Sequence, residues 1–91
     1  MIARRCLVRG RVQGVYYRGS AARRAAELGV RGYARNLPDG DVEVLACGAA
    51  ADVQAFIDWL WSGPSAARVV AVEVSEVELP RERWPAGFTT A

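Results

Sequence analysis

The triplet Pro38-Asp39-Gly40 separates two short runs of strand-forming residues, Val30 to Leu37 and Val42 to Cys47. Proline presets the backbone angle that opens a turn, aspartate closes a local side-chain bond, and glycine accepts a positive φ. The flanking runs are therefore predicted to fold back as an antiparallel hairpin. The rest of the chain has to be arranged around that hairpin, and each side offers one strand-like and one helix-like segment. Upstream, Arg4 to Val8 places Cys6 and Val8 on one parity and stops at Gly10, as a short strand would. Ser20 to Leu28 is rich in alanine and free of Gly and Pro. It stops at Gly29, the residue type expected just past a helix end, and its predicted buried face is Ala22, Ala25, Ala26 and Leu28. Downstream, Asp52 to Trp61 carries Val53, Phe56, Ile57 and Leu60 at i, i+3, i+4 and i+7, and is ended by Ser62-Gly63-Pro64. Trp59 and Trp61 leave that stripe and read as flank packing. Arg68 to Leu79 alternates through Val70, Val72 and Val74 and then through Val77 and Leu79, so its change of parity around Ser75-Glu76 predicts a bulge there.

The order strand, helix, strand, strand, helix, strand is the split βαβ arrangement of an α+β, ferredoxin-like βαββαβ sandwich. It predicts a four-stranded antiparallel sheet covered on one face by two helices, with the segment around Phe88 as the candidate for a short fifth strand. The hairpin's first strand is expected to pair beside the first strand of the chain. No repeat or linker interrupts the 91 residues, so 1–91 reads as a single domain with a core of about 4–79 and a C-terminal tail of 80–91. No apolar run approaches the ~18 residues of a membrane span. Met1 to Arg11 carries four arginines and no sustained apolar stretch, unlike a secretory signal, so a cytoplasmic protein is expected. Histidine is absent and Cys6 and Cys47 are the only cysteines. A His/Cys metal site or a His-based triad cannot be built from this chain alone, and the thiols are expected to be free and buried.

Charge is distributed unevenly. All twelve basic residues are arginine; nine lie in residues 1–35, where Glu27 is the one acid, and residues 36–91 hold three arginines against nine acids. Such a basic first third suits nucleic acid, a phosphorylated small molecule or an acidic partner, unless the two halves neutralise each other in the fold.

The segment Val8 to Arg18 joins the first strand to the first helix. Gly10 and Gly14 are spaced G-x-x-x-G, which matches neither the Walker A nor the dinucleotide fingerprint. A strand-to-helix loop can nevertheless turn successive N–H groups inward and add the positive end of a helix dipole. Arg18 stands where a cation opposes that dipole, so it either pairs with a surface acid or aims a bidentate guanidinium at phosphate. Asn36, just ahead of Leu37-Pro38-Asp39-Gly40, reads on its own as a strand-end or turn residue.

The same stretch, Val8-Arg9-Gly10-Arg11-Val12-Gln13-Gly14-Val15-Tyr16-Tyr17-Arg18, resembles the acylphosphatase signature V-x-G-x-V-Q-G-V-x-[FY]-R at every fixed position. Leu28 to Asn36 and Asp39 to Glu43 resemble the family's second block, and the resemblance covers roughly residues 4–79. It implies hydrolysis of an acyl phosphate to carboxylate and inorganic phosphate, without metal or cofactor, by a monomer that phosphate inhibits competitively. It also implies that Arg18 binds the phosphate and Asn36 positions the attacking water. The backbone of Gly10, Arg11, Val12, Gln13, Gly14, Val15, Tyr16 and Tyr17 would wrap the phosphoryl oxygens. Within that loop Gln13 is expected to act as a brace, and Tyr16 and Tyr17 to pack beneath it. The chemistry suits a chain poor in catalytic residue types. A carboxylate leaving group, of conjugate-acid pKa ~4, departs without a general acid, and positioned donors stabilise the charge spread over the phosphoryl oxygens. Departures from the common pattern are Tyr17 for phenylalanine, Tyr33 for tryptophan and Ala34 for valine. The chain also closes as Gly87-Phe88-Thr89-Thr90-Ala91 where Phe-x-Ile/Val-x-aromatic is usual.

Two rival readings share the fold. Arg31-Gly32-Tyr33-Ala34 matches the opening of an RNA-recognition fingerprint, but Arg35, Asn36 and Pro38 occupy the positions of its later apolar and aromatic residues, so single-stranded RNA is disfavoured. A catalytically idle interaction module, held through the acidic half, is the other.

Overall fold

A computed structural model describes residues 1–90; Ala91, the end of the expected tail, lies outside the described residues. Its elements are β1 (Ile2–Arg11), α1 (Tyr17–Leu28), β2 (Arg31–Asn36), β3 (Val42–Gly48), α2 (Ala50–Ser62), β4 (Arg68–Glu76), a 3₁₀ turn (Arg81–Arg83) and β5 (Phe88–Thr90). The sheet order is β4-β1-β3-β2-β5. The first four strands pair antiparallel, and β5 adds to β2 in parallel, Ala34 lying opposite Thr90. The short fifth strand expected around Phe88 is thus formed within the C-terminal tail and completes a five-stranded mixed sheet.

One expected pairing is corrected. β2 does not lie beside β1; β3 stands between them, with Val42 opposite Val8 on one side and Asn36 on the other. A crossover through α1 makes β1 and β2 parallel, and the hairpin return then fills the gap with an antiparallel strand. The carboxyl ends of β1 and β2 consequently lie at the same edge of the sheet. That is what brings Asn36 toward the loop that follows β1.

The predicted bulge is also displaced. The register shifts at Arg9/Gly10, where Ala71 and Val69 are the successive β4 partners and Val70 is the extra residue. Val70 is accordingly 72% exposed and Val69 packs against the core in its place. The parity change near Ser75 marks the end of β4, after which Val77 and Leu79 cross to the other face of the sheet.

On the helix-covered face, Cys6, Val8, Ala34, Val42, Val44 and Ala46 are fully buried under Val53, Phe56, Ile57 and Leu60 of α2, the stripe read from sequence. The α1 face differs by about one position from expectation: Ala21 and Ala25 are buried and Ala26 is exposed. The small alanines let α1 lie close to the sheet, and Gly29 ends it with φ +72° and N–H bonds to the Ala25 and Ala26 carbonyls. Trp59 stacks on Phe56 at 6.3 Å, while Trp61 is half exposed. No helix of the described residues is long and apolar enough to cross a membrane.

The opposite face is built on charge. Glu43 is 2% exposed, held by the Arg5 and Arg35 guanidinium groups and the Tyr33 hydroxyl. Burial pushes its carboxyl up, but hydrogen bonds and charge from Arg5 and Arg35 outweigh that and leave it below the ordinary 4.5. Arg9 pairs with Asp41 and Glu73, and Arg4 with Glu76. Much of the basic first third is therefore neutralised by the acidic remainder. The thiols of Cys6 and Cys47 are free and buried; they face opposite sides of the sheet, and burial pushes Cys6 up to about 12.

Candidate active site

The loop between β1 and α1 is shorter than the sequence suggested. Gly10 and Arg11 belong to β1, opposite Val69 and Arg68 of β4. A Cβ on Gly10 would come within 2.0 Å of the Arg68 carbonyl oxygen, so this glycine serves strand contact. The loop proper is Val12 to Tyr16. Val12 turns inward and is buried, Val15 is half-buried against the core, and Gly14 takes φ +77° with open space where a side chain would stand.

Gln13 acts as the expected brace. Its amide nitrogen donates to the Leu37 and Asp41 carbonyls, each at 2.9 Å, tying the loop to the β2–β3 turn. Leu37 follows Asn36, so one side chain sets the distance between the loop and the end of β2.

Tyr16 departs from expectation. It does not pack beneath the loop; it is 68% exposed and has φ +61°, the one non-glycine residue with positive φ among those described. A bulky residue held there is strained, a condition that concentrates at functional positions. Its ring lies over Gly19, where an added Cβ would meet ring atoms at 2.3–2.8 Å. Gly19, a poor helix former within the first turn, was missed by sequence reasoning; its place is explained by that ring. Tyr17 does pack as expected: it is 1% exposed, and its hydroxyl donates to the Leu60 carbonyl at 2.6 Å. Burial pushes its phenol well above the ordinary value, so Tyr17 is a neutral structural donor that ties α1 to α2.

α1 starts without a side-chain cap and without an acid in its first turn. Its hydrogen-bond ladder begins where the Ser20 N–H donates to the Tyr16 carbonyl at 3.1 Å. The N–H groups of Tyr17, Arg18 and Gly19 precede that ladder and add to the positive end of the helix dipole.

These groups border an open pocket of about 380 Å³. Val12, Gly14 and Tyr16 supply its loop wall, and Tyr17, Arg18 and Gly19 its helix wall. Asn36 and Thr90, from neighbouring strands β2 and β5, close the sheet side. Of the residues singled out from sequence, Arg18 and Asn36 meet here together with Val12, Gly14, Tyr16 and Tyr17. Gly10, Arg11, Gln13 and Val15 do not line it. Thr90 was missed because its place depends on a strand pairing that no local pattern encodes.

The pocket offers one guanidinium, one amide, hydroxyls and backbone N–H donors, and among the described residues no carboxylate side chain lines it. Among the described residues no group of three His, Cys, Asp or Glu is placed to hold a metal. The arrangement suits a small dianion. The residues that suggested RNA are committed elsewhere: Arg31 donates to the Trp84 and Pro85 carbonyls, and the Tyr33 hydroxyl to Glu43.

Comparison with known proteins agrees with this geometry. A profile of the acylphosphatase family matches residues 4–90. A protein of Nitrosococcus oceani named acylphosphatase is 57% identical over 76 residues, 84% of this chain and 85% of that protein. The crystal structure of acylphosphatase from Bacillus subtilis superposes with a TM-score of 0.93 at 30% identity, covering 100% of this chain and 99% of the other. An acylphosphatase from Coxiella burnetii gives 0.91 at 34% identity, covering 99% and 92%. With its signature loop, its sheet order and relatives of this identity, the chain belongs to the acylphosphatase family.

Proposed function

We propose that this protein hydrolyses small acyl phosphates, with Arg18 clamping the phosphoryl group and Asn36 orienting the attacking water. The observation that supports this reading most is the meeting of Arg18, Asn36 and the uncapped start of α1 around one pocket. The loop backbone and the N–H groups of Tyr17 to Gly19 take the phosphoryl oxygens, and the Arg18 fork adds charge where the transition state spreads it. The water oxygen forms a bond to phosphorus as the bond to the acyl oxygen breaks, and the acyl half leaves as carboxylate with that electron pair. Acyl phosphate dianion and water thus give carboxylate and dihydrogen phosphate, both water protons staying on the phosphate. The leaving group, of conjugate-acid pKa ~4, requires no general acid.

Inorganic phosphate, as product, occupies the same clamp and competes with substrate. Residues 1–91 work as one domain, and as a monomer, since the charged face of the sheet satisfies its carboxylates within the chain. Two free buried thiols fit a reducing, cytoplasmic setting.

The test is phosphate release from benzoyl phosphate with EDTA present. Turnover is expected, and Asn36→Ala should lower kcat by on the order of 10²–10³ while phosphate inhibition persists. A wild-type chain that hydrolyses no acyl phosphate would refute the proposal.

A further inference from the structure

Arg18 and Asn36 account for the phosphoryl group and the water; Thr90 has no part in that division of labour. It lies in register with Ala34, which is fully buried on the helix-covered face, two residues before Asn36 on the same strand. Strand alternation puts Ala34, Asn36 and Thr90 on one face. Phe88, two residues before Thr90, confirms the direction by packing edge-on against Phe56 of α2 at 5.4 Å. The Thr90 hydroxyl is therefore presented to the pocket from a strand outside the phosphate-binding loop. With phosphate in the clamp formed by the loop and α1 and the attacking water at Asn36, an acyl group leaving in line runs away from Asn36, and along this wall the side chain it then meets is Thr90.

We propose that Thr90 is a specificity-determining residue, its hydroxyl hydrogen-bonding a polar substituent carried by the acyl group beside the carbonyl. The protein then favours small polar acyl phosphates over their alkyl isosteres. This rests on the acyl phosphate reading of the site. A hydroxyl both donates and accepts, so it serves an amino, amide or hydroxyl substituent alike. An alkyl acyl group leaves it to water, with no gain.

The probes are carbamoyl phosphate and acetyl phosphate, which differ by an amino group in place of a methyl. Thr90→Val keeps the branched shape that suits a strand and deletes only the hydroxyl. It should lower kcat/KM for carbamoyl phosphate about tenfold and change acetyl phosphate by less than about twofold, the range of one net hydrogen bond. Thr90→Ser should keep the wild-type ratio. An equal loss on both substrates, or an unchanged ratio in Thr90→Val, overturns the assignment and leaves Thr90 as part of β5 only. Wild-type turnover measured in the same series separates the two claims: turnover with an unmoved ratio defeats the Thr90 assignment alone, whereas absence of turnover on both substrates defeats the parent reading.

Discussion

Replacing Gln13 by alanine separates the brace from the clamp. The Gln13 amide spends both N–H donors on the Leu37 and Asp41 carbonyls. Each of those carbonyls keeps a second partner, the Gly40 N–H at 3.1 Å and the Leu37 N–H at 2.8 Å, so neither is orphaned by the substitution. Two net hydrogen bonds at the low end of their range amount to about 1–2 kcal/mol. At roughly 4–8 °C per kcal/mol for a chain of this size, the melting temperature should fall on the order of 5–15 °C. The catalytic effect should be larger than the loss of stability implies, because the same side chain sets the loop against the end of β2. A displacement of about 1 Å between binding and reacting groups can cost ~10² in rate, so kcat/KM should drop ten- to a hundredfold and phosphate inhibition weaken with it. Thermal melting followed by circular dichroism and phosphate release on one preparation are the assays. Unchanged melting and unchanged kcat/KM in Gln13→Ala would refute the claim that this amide positions the loop.

Gly10→Ala should destabilise severely, by about 2–4 kcal/mol or more, since φ is +127° and the new methyl would lie 2.0 Å from the Arg68 carbonyl oxygen; urea denaturation reads this directly. Glu43 governs the acid limb of stability. Its folded carboxyl is held below 4.5, so its contribution is complete above that value and is lost as the pH falls through the folded pKa. Urea midpoints followed from pH 6 downward should show that loss in the wild type and a shallower one in Glu43→Gln; identical slopes would contradict the assignment.

Local signals exposed the helices and strands with their approximate ends, since Gly29, Pro38-Asp39-Gly40 and Ser62-Gly63-Pro64 each stop an element for a steric reason. The place of Arg18 at the pocket, with Val12, Gly14, Tyr16 and Tyr17, was legible through the resemblance carried by Val8 to Arg18 rather than through the glycine spacing alone. What escaped depends on distant parts of the chain. The place of β3 between β1 and β2, the bulge at Val70 and the parallel addition of β5 are decided by pairing, which periodicity does not encode. Glu43 looked like one acid among nine until β1 and β2 brought Arg5 and Arg35 to it. Tyr16 was expected to pack beneath the loop, whereas its backbone conformation and Gly19 beneath its ring set its exposure. Gly19 lay outside the helix expected over Ser20 to Leu28, so no local signal marked it as the residue beneath that ring.

The central claim is that Arg18 holds the phosphoryl group. Phosphate release from benzoyl phosphate, with inorganic phosphate as competitor and EDTA present, should be compared between the wild type and Arg18→Ala, circular dichroism showing both folded. Loss of detectable turnover together with loss of phosphate inhibition in Arg18→Ala is the predicted result. Hydrolysis by Arg18→Ala at the parental rate would contradict it.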